Sequence, residues 1–175
     1  MSKIELVKGS CAEQHVDAVV NAANRNLWSG GGICGVIFKK AGYTELNCAC
    51  EKYKTPLKDG DAIITPSFNM KNCKYIIHSV GPDFGQTPNA FQELYDAYYN
   101  SFKVLVNNGL ESISLPLISS GIFGYGLDNP PGESCKQCLN AYNNFVKDYP
   151  EANINVKLCA FSDKEYLECS KQFNI

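Results

Sequence analysis

Residues 16–42 read VDAVVNAANRNLWSGGGICGVIFKKAG, and three kinds of sequence follow one another in them. Asp17–Asn21 is a short run of small and β-branched residues that is typical of a buried strand. Polar amides and three successive glycines come next, and Gly31–Ala41 then spaces its apolar residues as one face of a helix. A helix that begins directly after such a turn leaves free backbone N–H groups at its positive end. The segment therefore predicts a phosphate-binding site.

The rest of the chain alternates between strand-like and helix-like segments. The expected strands are Ile4–Lys8, Asp17–Asn21, Asp61–Pro66, Tyr75–Val80, Ser112–Leu117 and Ile154–Phe161. The expected helices are Gly31–Ala41, a second helix that is capped by Thr44 and runs to about Tyr53, Asn89–Val106, Pro131–Val146 and a last helix from Asp163. This alternation is typical of an α/β fold with helices on both faces of a largely parallel sheet. The length of 175 residues fits a single domain, 1–175.

Composition argues against several classes of protein. The formal net charge is −2 and the isoelectric point is about 5.7, whereas binding to nucleic acid through its phosphates needs a basic surface. No apolar run approaches the roughly 18 residues of a membrane span. We therefore expect no membrane partner. No heptad pattern or long apolar edge stands out, which leaves the oligomeric state open, and the expected state is a monomer.

The nine cysteines form no recognisable metal-binding pattern. Cys48 opens a C-x-C pair and Cys135 a C-x-x-C pair, but neither has a partner pair at zinc-ribbon spacing, and the chain has only two histidines. The count is odd, and no charged-then-apolar signal segment is found at the N-terminus. We therefore expect reduced thiols, no metal and a cytoplasmic protein.

A second glycine-rich loop, Ser119–Gly126, also follows an expected strand. Because ligands of such sheets bind beyond the carboxyl ends of the strands, we expect this loop and Asn21–Gly35 to converge on one cleft. Neither loop contains the G-x-G-x-x-G fingerprint of dinucleotide binding or the G-K-[ST] of a nucleoside-triphosphate loop. The two loops together predict a site in which backbone amides hold a diphosphate. We expect no cofactor.

Several motifs occur in one order along nearly the whole chain: NAAN, SGGGICG, KKAG, GDAIITPSF, YIIHSVGP and LPLISSGIFGYG. In this order they resemble the macrodomain family of ADP-ribose-binding modules. The resemblance implies a three-layer α/β/α sandwich around a mixed, mostly parallel central sheet. It also implies that the ligand is ADP-ribose or an ADP-ribosylated protein.

The resemblance assigns roles to individual residues. Asn24 is expected to bind the distal ribose and orient substrate and water, with Tyr125 bordering that ribose, while Asn21 braces the loop. Phe161 is expected to stack on adenine. The full set of implied ligand-binding residues is Ser10, Cys11, Asn21, Ala23, Asn24, Gly30, Gly31, Gly32, Ile33, Cys34, Ser119, Ser120, Gly121, Ile122, Phe123, Gly124, Tyr125 and Phe161.

Some of these residues also have simpler explanations. Asn21, at a strand end, could satisfy local backbone groups, and Phe123, Tyr125 and Phe161 could be core aromatics. The triple glycine could be an ordinary turn. His78 is expected to be a buried histidine without a role in the reaction.

Two positions depart from the family pattern. Ser10 stands where most members have an aspartate that accepts from the adenine amino group, and its hydroxyl lacks that charge. Cys34 stands where many hydrolytic members have an aspartate that is thought to position water. A neutral thiol is no substitute for a carboxylate base. A thiolate at the helix N-terminus, acting as a catalytic nucleophile, is an alternative role for Cys34.

The expected function is hydrolysis of ADP-ribosyl groups on acidic side chains, of O-acetyl-ADP-ribose, or of both. A module that binds ADP-ribose without cleaving it is the alternative, and Cys34 favours it. Binding of poly(ADP-ribose) or nucleic acid is a third hypothesis, which the net negative charge of the chain disfavours.

Overall fold

The computed structural model describes all 175 residues of the sequence. The strands are β1 (Lys3–Lys8), β2 (Ala18–Ala23), β3 (Ala62–Pro66), β4 (Tyr75–Val80), β5 (Ser112–Leu115) and β6 (Asn155–Ala160). The helices are α1 (Gly32–Ala41), α2 (Tyr43–Cys50), α3 (Ala90–Asn107), α4 (Pro130–Asp148) and α5 (Asp163–Phe173). Short 3-10 turns cover Cys11–Glu13 and Ile122–Gly124.

The six strands form one sheet in the order β1-β6-β5-β2-β4-β3. Neighbouring strands are parallel except for β3, which pairs with β4 in the antiparallel sense. The predicted mixed, mostly parallel sheet is therefore confirmed. Because β6 lies between β1 and β5, the two ends of the chain meet in the sheet, and the loops that follow β1 and β6 become neighbours.

Two apolar cores separate the sheet from its helices, which confirms the three-layer sandwich. One core joins the sheet to α3, α4 and α5, with Tyr98, Phe102 and Phe145 among its fully buried side chains. The other joins the opposite face to α1 and α2, with Ile37 and Phe38 at its centre. Burial of such side chains is the main stabilising term of the fold.

Most predicted elements agree with the structure to within a few residues, but two boundaries were wrong. Thr44 does not cap α2, because Gly42 is the residue before its first turn and ends α1 as well. Gly42 has a φ of 109°, a conformation that glycine adopts without steric cost, so it joins the two helices directly. β5 ends at Leu115 and not at Leu117, since Pro116 has no N–H for the ladder.

None of the helices combines the length and the apolar character that crossing a bilayer requires. No group of three histidine, cysteine or carboxylate side chains is arranged to hold a metal ion.

Candidate functional site

A cleft of about 670 Å³ opens at the carboxyl ends of the parallel strands. The segments that line it follow the order of the sheet. Ser10 follows β1, Phe161 follows β6, the second glycine loop follows β5, and Asn24 with the first glycine turn follows β2. Strands lie about 4.8 Å apart, so the line from β6 to β2 spans about 10 Å. The cleft therefore has a β1–β6 end and a β2 end, with the second loop between them.

Most of the predicted site residues come together in this cleft, as the sequence led us to expect. Those that line it are Ser10, Cys11, Ala23, Asn24, Gly30, Gly31, Gly32, Ile33, Cys34, Ser119, Ser120, Gly121, Ile122, Phe123 and Phe161. Asn21, Gly124 and Tyr125 do not line it. Asn21 is buried beneath the cleft, Gly124 is buried in the second loop, and the Tyr125 side chain is 83% exposed outside it.

The first glycine turn carries a row of free amides. The backbone N–H groups of residues 29–34 have no oxygen acceptor within the protein, and only that of Gly30 has a partner, the Cys34 sulfur. Gly31 precedes α1 in an extended conformation, no side chain caps the helix, and its first turn holds no acidic residue. The positive end of α1 therefore faces the cleft uncompensated.

α1 is pressed closely against this turn. A Cβ atom on Gly35 would lie 2.7 Å from the carbonyl oxygen of Gly30, so only glycine allows the approach. The row of amides is thus fixed by backbone packing rather than by side chains, and the simple-turn explanation does not account for it.

The second loop carries a matching row. The N–H groups of residues 120–123 also have no acceptor within the protein. The hydroxyls of this loop point back into its own scaffold: Ser119 Oγ donates to the Pro82 carbonyl at 2.7 Å and Ser120 Oγ to the Leu117 carbonyl at 2.8 Å. Side chains therefore hold the loop, and backbone amides are left for a ligand.

The Asn24 side chain is engaged with its own loop. Its Oδ1 accepts from the backbone N–H of Asn26 at 3.2 Å and from that of Trp28 at 3.0 Å. Its Nδ2 donates to the Trp28 carbonyl at 2.8 Å. Both acceptor positions of Oδ1 are used, so a single N–H is left over for a ligand.

Cys34 lies in the first turn of α1, where it is 5% exposed. Its Sγ donates to the Trp28 carbonyl at 3.6 Å. Burial raises the pKa of the thiol, and hydrogen bonds from the Asn21 amide and the Gly30 backbone only partly oppose that shift. The geometry therefore presents a neutral thiol and gives no support to a thiolate nucleophile.

The Asn21 side chain contacts a side chain of the neighbouring strand β4 rather than the local backbone. Its Nδ2 lies 3.1 Å from Nδ1 of His78, and Nε2 of His78 lies 3.0 Å from Thr65 Oγ1. All three side chains are buried, and burial lowers the pKa of His78 to about 3. Asn21 Oδ1 has no hydrogen-bond partner among the protein atoms.

Three aromatic side chains are not core residues, so the simpler explanation for them was wrong. Phe161 is 74% exposed at the β1–β6 end of the cleft, Phe123 is partly exposed on the second loop, and Tyr125 is open to solvent. Phe161 therefore offers a flat apolar face to a ligand at that end.

Sequence reasoning missed some of the lining, namely Gly9, Ala22, Val36, Pro116, Leu117, Cys159 and Glu165. Gly9 and Ala22 are neighbours in sequence of predicted residues, and Val36, Leu117 and Cys159 each lie two positions from one. Glu165 has a signal of its own in Ser162-x-x-Glu165, the capping-box pattern at the start of α5.

A second cavity of about 390 Å³ lies away from these loops, beside the end of α1 and the β3–β4 turn. Three of its polar side chains are already engaged within the protein. Lys40 pairs with Glu13 at 2.9 Å, and Asn72 donates to the carbonyls of Ala12 and Gln14. We therefore place the functional site at the larger cleft.

Comparison with known proteins gives a consistent result. The model of the Macro domain matches residues 20–130. A macrodomain of Oceanobacillus iheyensis, solved with ADP, has a TM-score of 0.89 and 32% identity over 99% of this chain and 90% of its own. The O-acetyl-ADP-ribose deacetylase of Citrobacter rodentium is 37% identical, over 83% of this chain and 81% of its own length. The ADP-ribose glycohydrolase MACROD1 of Mus musculus is 34% identical over 93% of this chain and 49% of its own length.

Proposed function

The chain belongs to the macrodomain family, and we propose that it binds ADP-ribose and hydrolyses ADP-ribosyl conjugates. The substrates are mono-ADP-ribosylated acidic side chains and O-acetyl-ADP-ribose. One observation carries the proposal: two separate loops that line one cleft, residues 30–34 and 120–123, carry backbone N–H groups that have no oxygen acceptor within the protein. A diphosphate is the ligand that such a pair of amide rows suits.

We infer the direction of the ligand from the order of the strands and from the residues at each end of the cleft. The diphosphate lies between the second loop and the N-terminus of α1, so the two ends of the ligand extend toward opposite ends of the cleft. The base lies at the β1–β6 end, where Phe161 offers a stacking surface. The distal ribose lies at the β2 end beside Asn24, whose free N–H donates to one of its oxygens.

Hydrolysis adds water to the ester that joins the distal ribose to a carboxyl group. The products are ADP-ribose and the free carboxylic acid, and no change of oxidation state occurs. The β2 end of the cleft has no ionised side chain to act as a base. The rate therefore comes from positioning of ribose and water against a fixed diphosphate, for which oriented binding suffices.

The relatives support this proposal through their names. One is named as an O-acetyl-ADP-ribose deacetylase and another as an ADP-ribose glycohydrolase, and both align over more than four fifths of this chain. The partner we propose is a protein that carries a single ADP-ribosyl group on an aspartate or glutamate.

A binding module without hydrolytic activity is the second candidate. The neutral, buried Cys34 thiol favours it, because it stands in the first turn of α1 and supplies no base. A time course on a glutamate-ADP-ribosylated protein and on O-acetyl-ADP-ribose separates the two functions. Release above a buffer control on either substrate supports the hydrolase, whereas tight binding of ADP-ribose without release supports the binding module.

A further inference from the structure

Glu165 is the only ionisable acidic or basic side chain that lines the cleft, apart from its thiols. It lies in the first turn of α5, directly after the loop that holds Phe161. The second loop and the β2 end of the cleft contribute no charge. A single carboxylate therefore lines the β1–β6 end of the cleft, where the base of a nucleotide would bind, and the nearby charges of Lys8 and Asp163 pair with each other outside the lining.

The capping box of α5 fixes this carboxylate. Oε1 of Glu165 accepts from the backbone N–H of Phe161 at 3.1 Å and from that of Ser162 at 2.9 Å. Ser162 Oγ accepts in return from the Glu165 N–H at 3.1 Å. The carboxylate is thus tied to the residue whose exposed ring lines this end of the cleft, and hydrogen bonds within the protein hold it there.

Both hydrogen bonds that the Glu165 carboxylate accepts go to Oε1. The second oxygen, Oε2, makes no hydrogen bond within the protein. The other polar side chains at this end are already engaged. Ser10 Oγ accepts from the Ala12 N–H at 3.2 Å, and Cys11 Sγ donates to the Val20 carbonyl at 3.6 Å. Oε2 of Glu165 is therefore the one charged acceptor that this end of the cleft keeps free.

We propose that Glu165 is the residue that selects adenine, by accepting a hydrogen bond from its exocyclic amino group on Oε2. The inference rests on the proposed function, since it assumes that the nucleotide lies with its base beside Phe161. A carboxylate forms a strong, charge-assisted bond with an N–H donor. A base that presents a carbonyl oxygen at the same position meets repulsion instead.

The capping box also makes a reversal of specificity testable. In Glu165→Gln the amide oxygen must stay with the N–H groups of Phe161 and Ser162, so the amide nitrogen takes the place of Oε2. Glutamine is compatible with a capping box, so the fold is retained. An acceptor is thereby replaced by a donor in the same position, which suits the carbonyl of hypoxanthine and not the amino group of adenine.

Calorimetric titration with ADP-ribose and with its hypoxanthine analogue measures this preference. The wild type is expected to favour the adenine compound by about tenfold or more, as one hydrogen bond to a charged group implies. Glu165→Gln is expected to remove or reverse that ratio. Asp163→Asn is the control, because it removes the same charge from the first turn of the same helix at a carboxylate that pairs with Lys8 and does not line the cleft.

The ratio of the two affinities distinguishes recognition from a general effect on folding. If the wild type binds both compounds equally, or if Glu165→Gln keeps the wild-type ratio, Glu165 does not select the base. If ADP-ribose binds but the ratio of the two affinities differs from the expected one, the proposed function stands and the inference about Glu165 is wrong. If the wild type binds neither compound, both are overturned.

Discussion

Asn24 and Trp28 are joined by a reciprocal pair of hydrogen bonds. Nδ2 of Asn24 donates to the Trp28 carbonyl at 2.8 Å, and Oδ1 of Asn24 accepts from the Trp28 N–H at 3.0 Å. The pair closes the loop between β2 and the glycine turn. It also fixes the orientation of the amide group, with Oδ1 toward the Trp28 N–H and Nδ2 toward the Trp28 carbonyl. Asn24 therefore meets a ligand as a donor and not as an acceptor.

The first prediction concerns this donor. Asn24→Ala and Asn24→Asp should each lower kcat on a glutamate-ADP-ribosylated protein at least about tenfold, or about 1.4 kcal/mol in the barrier. The aspartate keeps an acceptor for the Trp28 N–H but has no N–H for the ribose, so it should not rescue turnover. Asn26→Ala is the control, because that side chain does not line the cleft. Wild-type turnover in Asn24→Asp would contradict the donor role.

The second prediction concerns Cys34. Because burial raises the pKa of its thiol, we expect no covalent intermediate, and Cys34→Ala should keep kcat within about threefold of wild type. Steady-state rates on O-acetyl-ADP-ribose, with Asn24→Ala measured beside them, test this. A fall to the buffer rate in Cys34→Ala would show instead that the thiol reacts with the substrate.

The third prediction concerns the pH dependence of stability. Burial lowers the pKa of His78 to about 3, so the unfolded chain binds a proton below the ordinary pKa of about 6.5 that the folded chain does not. The contribution of His78 to the free energy of unfolding is therefore complete above pH 6.5 and is lost as the pH falls toward 3. The free energy of unfolding should fall by up to about 1.4 kcal/mol per pH unit from this residue.

Urea unfolding of wild type and His78→Asn across that range measures the contribution of His78. The surface carboxylates titrate in both proteins and cancel in the difference between them. As the pH falls, the free energy of unfolding of the wild type should decrease relative to that of the variant. Parallel curves would mean that His78 is not held neutral.

The fourth prediction compares two glycines at the start of α1, Gly31 and Gly35. Gly35→Ala places a Cβ 2.7 Å from the Gly30 carbonyl oxygen, so α1 must move away from the turn. We expect a loss of about 1–3 kcal/mol in unfolding free energy and weaker binding of ADP-ribose. Gly31→Ala meets nothing within 4 Å and has an ordinary backbone conformation. Its stability should stay within about 0.5 kcal/mol of wild type, and equal losses in the two variants would contradict the close-approach argument.

The sequence predicted the elements better than their arrangement. β2 and α1 could be identified because strand and helix periodicities meet at a glycine turn in residues 16–42. The insertion of β6 between β1 and β5 could not be identified, because strand order depends on pairing between distant segments. That order is what places Phe161 beside Ser10 and gives the cleft its two ends.

The site was predictable where backbone chemistry is local. The amide rows of the two glycine loops follow from their own residues, and both line the cleft. The bonds of Asn24 to Trp28 were missed because they depend on the course of the loop, in which Leu27 takes a positive φ. The capping box of Glu165 is visible in the sequence, but its place in the cleft depends on where β6 puts the start of α5.

The central claim is that two rows of backbone amides hold one diphosphate. A crystal structure of the protein with ADP-ribose tests it most directly. We expect oxygens of the diphosphate within about 2.7–3.2 Å of N–H groups from both residues 29–34 and residues 120–123. A diphosphate that contacts only one of these rows, or lies outside the cleft, would contradict the account.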